Sequence, residues 1–333
     1  MDLVRRGLNC PRDKSLSQRL THARFLFALF VLLFLLVLTG CSDERPIINI
    51  ESSATGKVSL PVKQIAQQET LRIAVGAMIS PEMTREYYMK MMELIAARIG
   101  RRAIFSQRRT YAEINELVKA HEVDVAFVCA GPYTSGRADF GMELLVVPVA
   151  HGQKVYHSYI LAKRGSPVQS LADLRGKRFA FTDPNSNTGT LVPTYMLAKR
   201  GETPETFFSE SFYSNSHDNS IKAVADGLAD GAAVDSLIWE FMNSVNPKDT
   251  SRTRIIEKSP PYGIPPIIVH PHLGDKLKQS LKSVFLSIHE DKEAAPLLRK
   301  IQIDRFAEGE DSMYDTVREM RQWVDKFNKG KCQ

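Results

Sequence analysis

Apolar residues near the start of the chain are gathered into one block: a basic stretch ending at Arg24 runs into an unbroken apolar segment from Phe25 to Leu38. That segment is shorter than the roughly 20 residues a membrane-crossing helix needs. It matches the hydrophobic part of an export signal followed by small residues, so residues 1–40 read as a signal peptide. From Ser42 to Glu69 the chain is polar and aperiodic, and 41–69 reads as a tether. Beyond Leu71 the pattern changes. Short apolar runs alternate with segments whose apolar positions recur near every 3.6 residues, the signature of an α/β fold with largely parallel sheets.

The alternation predicts strands over 71–76, 102–106, 123–128, 144–149, 157–162, 178–182, around Phe212, and over 232–234. Helices are expected from Pro81 onward, carrying Tyr87, Tyr88, Met91, Met92 and Ile95, then over 111–120, 190–200, 220–228, 273–288, 294–300 and 312–327. Gly131-Pro132-Tyr133 reads as a loop at a cleft edge. These elements exceed what one sheet usually holds, and the middle forms a self-contained group. We therefore expect two Rossmann-like lobes, residues 70–155 with 251–333 and residues 156–250, joined by crossings near 155 and 250 with a ligand cleft between them.

Composition fits a folded protein: 333 residues, 43% hydrophobic and 25% charged, with no collagen-like or disordered bias in 19 Gly and 17 Pro. The net charge of +6 invites a nucleic-acid reading until the charges are located. Arg5, Arg6, Arg12, Lys14, Arg19 and Arg24 face only Asp2 and Asp13 in the first forty residues, and setting these aside leaves 38 basic and 36 acidic side chains. Such a balance is no footprint for a polyanion.

Cysteine usage points the same way. Leu38-Thr39-Gly40-Cys41 resembles the lipobox of bacterial lipoproteins, which implies cleavage before Cys41 and acylation of its sulfur, anchoring the folded part to a membrane outside the cytoplasm. Ser42 after it resembles lipoproteins sent to the outer membrane rather than kept at the inner one. Cys129 ends an apolar strand and Cys332 lies in a polar tail, so two separate thiols are expected rather than a bridge. His270-Pro271-His272 looks like a metal pair, but with no third ligand near it in sequence it reads as chance, and no metal or cofactor is expected.

The most informative stretch is Thr182 to Thr190, Thr-Asp-Pro-Asn-Ser-Asn-Thr-Gly-Thr, placed between a strand and a helix. Pro184 ends the strand, Ser, Asn and Thr suit a helix start, and Gly189 lets backbone come close to a ligand. On spacing alone it reads first as an ordinary N-cap of a surface helix.

With its surroundings the stretch resembles a known family. Asp183 to Gly189, then Leu191-Val192-Pro193 and His217-Asp218, is similar to the periplasmic binding proteins of phosphate, phosphite and phosphonate ABC importers. Arg109-Thr110-Tyr111-Ala112-Glu113 before Val123-Asp124-Val125-Ala126-Phe127, Lys154-Val155-Tyr156-His157-Ser158, and the 225–232 run Ala-Asp-Gly-Leu-Ala-Asp-Gly-Ala extend the likeness.

The resemblance implies a type II periplasmic binding protein, not an enzyme, that captures a small phosphorus oxyanion or organophosphonate for an ABC permease. It implies that Tyr111 and Tyr156 lend hydroxyls, that Ser186, Asn187 and Thr188 clamp oxygens, that His217 donates, and that Asp235 accepts from a protonated oxygen or an amine. The family's commoner Ser-Thr-Ser-Gly clamp is departed from at Asn187 and Thr188. Read one by one, Tyr111 and Tyr156 also suit packing aromatics, His217 a solvated loop and Asp235 a cap. Two competing functions are a ligand sensor feeding a membrane kinase or similar receptor, and a cell-envelope hydrolase using Asp183, His217 and Asp235.

Overall fold

The computed structural model describes residues 69–76 and 78–331. The signal segment, Cys41, the tether and Cys332 lie outside the described residues. Two separate sheets account for eleven strands. The first holds β1 (Thr70–Val75), β2 (Arg102–Ser106), β3 (Val125–Phe127), β4 (Glu143–Val149), β12 (Ile267–Val269) and β13 (Arg305–Ala307), in the spatial order β13-β4-β12-β3-β1-β2. The second holds β6 (Ser158–Lys163), β7 (Arg178–Phe181), β8 (Glu210–Tyr213), β9 (Gly231–Asp235) and β10 (Thr253–Lys258), in the order β10-β6-β9-β7-β8. Each sheet is the centre of one lobe. Between them, β5 (Val155–Tyr156) and β11 (Tyr262–Gly263) pair antiparallel, Tyr156 opposite Tyr262, and bind the two crossing segments into a ribbon.

The sheets are mixed rather than largely parallel. β1 runs parallel to β2 and β3, and β7 to β8 and β9. The strands that enter or follow a crossing, β6 and β10 in one sheet and β12, β4 and β13 in the other, pair antiparallel. A strand reached through a helical crossover within one lobe comes back in the same direction, whereas a strand arriving from the other lobe need not.

Buried faces follow the apolar pattern. Leu71, Ile73, Met91, Met92 and Ile95 are fully enclosed around the first sheet, and Leu171, Leu174 and Phe179 around the second. Several boundaries differ from the sequence reading. The helix from Pro81 breaks at Tyr88 into Pro81–Tyr87 and Met89–Arg98. Gly131-Pro132-Tyr133 opens the helix Ala130–Phe140 instead of a loop, with proline tolerated in its first turn. β10 belongs to the second sheet, so the return crossing follows residue 258. The C-terminal helix Asp315–Lys331 sets Trp323 edge-on against Tyr195 of Val192–Ala198, a helix of the second lobe, at 5.4 Å. Among the described residues no helix is long and apolar enough to cross a membrane.

Candidate functional site

Four of the parallel strands end toward the same space. Beyond β1 come Gly76 and Met78, beyond β3 Cys129 to Gly131, beyond β7 the Thr182 turn, and β9 closes on Asp235. Loops at the carboxyl ends of such strands are where open α/β sheets bind ligands.

The turn after β7 is held tightly. Ser186 caps the following helix, its Oγ accepting from Gly189 N at 3.0 Å, and Thr190 Oγ1 donates to Asp183 O at 2.8 Å. Residues Asn187–Leu191 form a π-helical turn, wider than an α-turn and common at binding sites. Gly189 is required here, because a Cβ on it would stand 2.1 Å from Thr182 Oγ1.

Tyr111 opens the helix Tyr111–Lys119 behind a capping box of Thr110 and Glu113. Its backbone N–H crosses the cleft to Asp183 Oδ2 at 3.1 Å, and its ring lies so near Gly76 that a Cβ there would meet it at 2.7 Å. His217 begins the helix His217–Asp226, capped by Ser216. Its N–H donates to Met78 O of the other lobe at 3.1 Å, while Ser80 N donates to Asp218 Oδ1 at 2.9 Å. These contacts join the lobes across the cleft.

Tyr156, on the crossing ribbon, accepts from Asn187 Nδ2 at 3.1 Å and lies 3.5 Å from Cys129 Sγ. Asp235 ends β9 and caps the helix Ser236–Val245, Oδ1 accepting from Leu237 N at 2.8 Å. Thr188 is drawn in by Ser158 Oγ, which donates to its carbonyl at 2.6 Å; Ser158 is also the strand partner of Asp235. All seven expected residues are sealed from solvent, Asp235 at 1% exposure and the other six at 0%. Asp235 is a cap, as one reading had it, and the Tyr111 and Tyr156 rings do pack in the core; His217 is no solvated loop residue, being buried at a helix start.

Among the described residues nine buried side-chain polar atoms have no partner within the protein, and four belong to this set: Tyr111 Oη, Asn187 Oδ1, Thr188 Oγ1 and His217 Nε2. Buried polar groups are nearly always paired, and each one left alone costs about 1–3 kcal/mol. Half a turn of the Asn187 amide would let Tyr156 donate to Oδ1 and leave the NH2 facing inward, so either way one amide atom is left for a ligand.

Protonation states follow from burial. His217 is pushed down to about 3 by desolvation and stays neutral. Its Nδ1 accepts from Asp235 N at 3.0 Å, which fixes the proton on Nε2 as a donor directed at the site. Burial raises Tyr111 well above the usual tyrosine range, so it too keeps its proton. Asp235 is lifted to about 7, again by burial first.

The site therefore offers uncharged donors and one carboxyl able to accept. Beside Asp235 a small apolar pocket is walled by Met78, Tyr88, Phe127, Phe241 and Ile264. The same geometry leaves no hydrolytic dyad: His217 faces a backbone amide rather than a carboxylate, and the Asp183 oxygens accept from Asn185 N and Tyr111 N.

Sequence reasoning missed the supporting contacts. Thr182 lies 3.2 Å from His217 Nδ1, Cys129 touches Tyr156, and Gly131 packs so close that a Cβ would reach 2.2 Å from Asn185 O in the other lobe. Only the glycine carried a local signal, being an otherwise poor residue for a helix start beside Pro132.

A sequence model of the family described as the periplasmic substrate-binding protein of a phosphonate ABC transporter matches residues 73–314. A probable phosphite-binding protein of an ABC transporter from Prochlorococcus marinus is 28% identical over 49% of this chain and 57% of its own length. The phosphonates-binding periplasmic protein of Escherichia coli is 22% identical over 81% of this chain and 82% of its own. The crystal structure of a binding protein component of an ABC phosphonate transporter from Pseudomonas aeruginosa superposes with a TM-score of 0.74 at 22% identity, covering 78% of this chain and 88% of that one.

Proposed function

The chain belongs to the periplasmic substrate-binding proteins of phosphonate ABC transporters, and from that premise we propose that it captures a small phosphorus oxyanion, phosphate, phosphite or a phosphonate, between its lobes and hands it to a membrane importer. The family binds and delivers rather than catalyses. The observation that carries the reading is the set of four buried, unpartnered polar atoms contributed from both sides of the cleft.

In this reading Tyr111, Thr188 and His217 Nε2–H donate to ligand oxygens, and the Asn187 amide adds a fourth contact. Asp235 accepts from an oxygen that still bears its proton, or from a ligand amine. Ser186 shapes the turn, and Tyr156 holds Asn187. Each hydrogen bond to a charged oxygen contributes roughly 1.5–3 kcal/mol, so several bind an oxyanion firmly without a cationic side chain. The apolar pocket that Asp235 lines offers an organic substituent a surface to pack against, which favours a small phosphonate over inorganic phosphate. Leu38-Thr39-Gly40-Cys41 supports lipid attachment at Cys41, with the outer membrane as destination.

Calorimetry with phosphate, phosphite, methylphosphonate and aminoethylphosphonate tests this. At least one should bind, a phosphonate tightest, and His217→Ala should weaken it by roughly 10- to 150-fold, the equivalent of one lost charge-assisted bond. No heat with any of them, or an affinity indifferent to His217, would reject the assignment.

A further inference from the structure

Three imidazoles meet at the end of the first sheet that faces away from the cleft. β3 enters the sheet at Val125 and leaves it toward Cys129, and β12 runs antiparallel beside it with Val269 opposite Val125. His121, in the turn before β3, and His270 and His272, just after β12, are thereby brought to one spot. The ring centroids stand 3.4 Å apart for His121 and His270, 5.2 Å for His270 and His272, and 5.9 Å for His121 and His272. One nitrogen from each ring lies within 4.8 Å of those of the other two, and among the described residues no other trio of His, Cys, Asp or Glu side chains gathers so closely. The third ligand missing near His270-Pro271-His272 in sequence is supplied by the fold.

We propose that His121, His270 and His272 form a binding site for a divalent transition-metal ion of the zinc class. Imidazole nitrogens suit zinc, copper and nickel and bind zinc at about 2.0–2.1 Å. His121 and His272 are exposed, whereas His270 is buried and stacked at 13° on Phe140. His270 Nδ1 accepts from His272 N at 3.0 Å, so in the metal-free ring the proton sits on Nε2, and the ion takes either Nδ1 in place of that amide or Nε2 in place of that proton. Lys278, the nearby cation, is engaged by Glu143 at 2.7 Å and by Pro271 O at 2.6 Å. His121 holds a φ of 58°, a left-handed conformation that glycine adopts freely and that a side chain takes at a cost. Three protein ligands leave the remaining positions to water, and the ion ties the end of the helix Tyr111–Lys119 to the turn after β12.

The test uses the chain without a histidine tag, with zinc chloride and then cobalt as probes. One zinc should bind per chain, raise the thermal midpoint reversibly on chelation, and be replaceable by cobalt with visible d–d absorption. His121→Gly and His272→Ala should each weaken zinc binding by roughly tenfold or more, while phosphonate binding stays as in the parent. His121→Gly also relieves the backbone, so its metal-free midpoint should hold or rise, which separates loss of a ligand from damage to the fold. Failure of the parent to bind zinc at one per chain, or undiminished binding in the double variant, overturns the proposal.

Discussion

In the role proposed for it, Tyr111 would serve binding at the expense of the resting fold. Its ring is enclosed while its hydroxyl finds no partner inside the protein. Tyr111→Phe removes that hydroxyl and keeps the packing, so the ligand-free protein should lose no stability while oxyanion affinity falls. Denaturation and calorimetry on one preparation check both halves; a variant that loses stability without losing affinity contradicts the role given to the hydroxyl.

Asp235 yields a pH dependence whose sign is fixed. Its folded value near 7 lies above the ordinary 3.8, so between about 4 and 7 the folded chain keeps a proton that the unfolded chain releases. Its contribution is complete below that window and is lost as pH rises through it. Asn is also a good N-cap, so Asp235→Asn keeps the cap on Ser236–Val245 and deletes the titration. Thermal midpoints of the two ligand-free proteins should draw apart from pH 4 to 7, the parent falling relative to the variant; parallel curves would refute the burial argument.

Tyr111, Asn187, Thr188 and His217 could be named only through the resemblance to the binding-protein family, since on spacing alone the Thr182 to Thr190 stretch reads as an ordinary N-cap. Their burial was not legible, since it depends on the opposite lobe arriving. Nor was the partnership of His121 with His270, because only the register of β3 against β12 makes them neighbours.

At the scale of elements, helix starts do much of the positioning. Tyr111–Lys119, Ala130–Phe140, His217–Asp226 and the π-turn Asn187–Leu191 all begin at the cleft, each just after a strand end or a capping residue. Gly131 in the first turn of Ala130–Phe140 lets that helix approach the Asn185 carbonyl across the gap. Gly131→Ala places a Cβ 2.2 Å from that oxygen, too close for either backbone to ignore. Within its own lobe the change is mild, since alanine is the better helix former. Affinity should therefore drop steeply while the melting of the ligand-free protein changes little. An unaltered affinity would mean the lobes do not need to come so near.

Periodicity located most of these helices. It misread Gly131-Pro132-Tyr133, because proline and glycine together signal a turn unless the proline falls where its missing N–H is not needed. Strand direction was misjudged as well, since a sequence pattern reports burial on both faces but carries no information about which way a neighbouring strand runs.

For the molecule as a whole, the ribbon of β5 and β11 joins two bodies whose facing surfaces are knit by Tyr111 to Asp183, His217 to Met78 and Ser80 to Asp218. Such joints permit hinge motion, and small-angle scattering should show a smaller radius of gyration with saturating ligand than without it. An unchanged radius would argue for a cleft that stays shut. The two-lobe plan could be foreseen from the count of alternating elements. That the final helix would lean on Tyr195 of the second lobe could not, since an amphipathic stripe shows that a face is buried but not against what.

The zero exposure of the cradle residues carries a kinetic consequence. If the proposed ligand sits there, it has no path outward while the halves are together, so its release requires the lobes to part and its bonds to one of them to break. Residence times should then lengthen with the number of bonds a compound makes to both lobes, and a receiving membrane complex would speed delivery by prying the jaws apart.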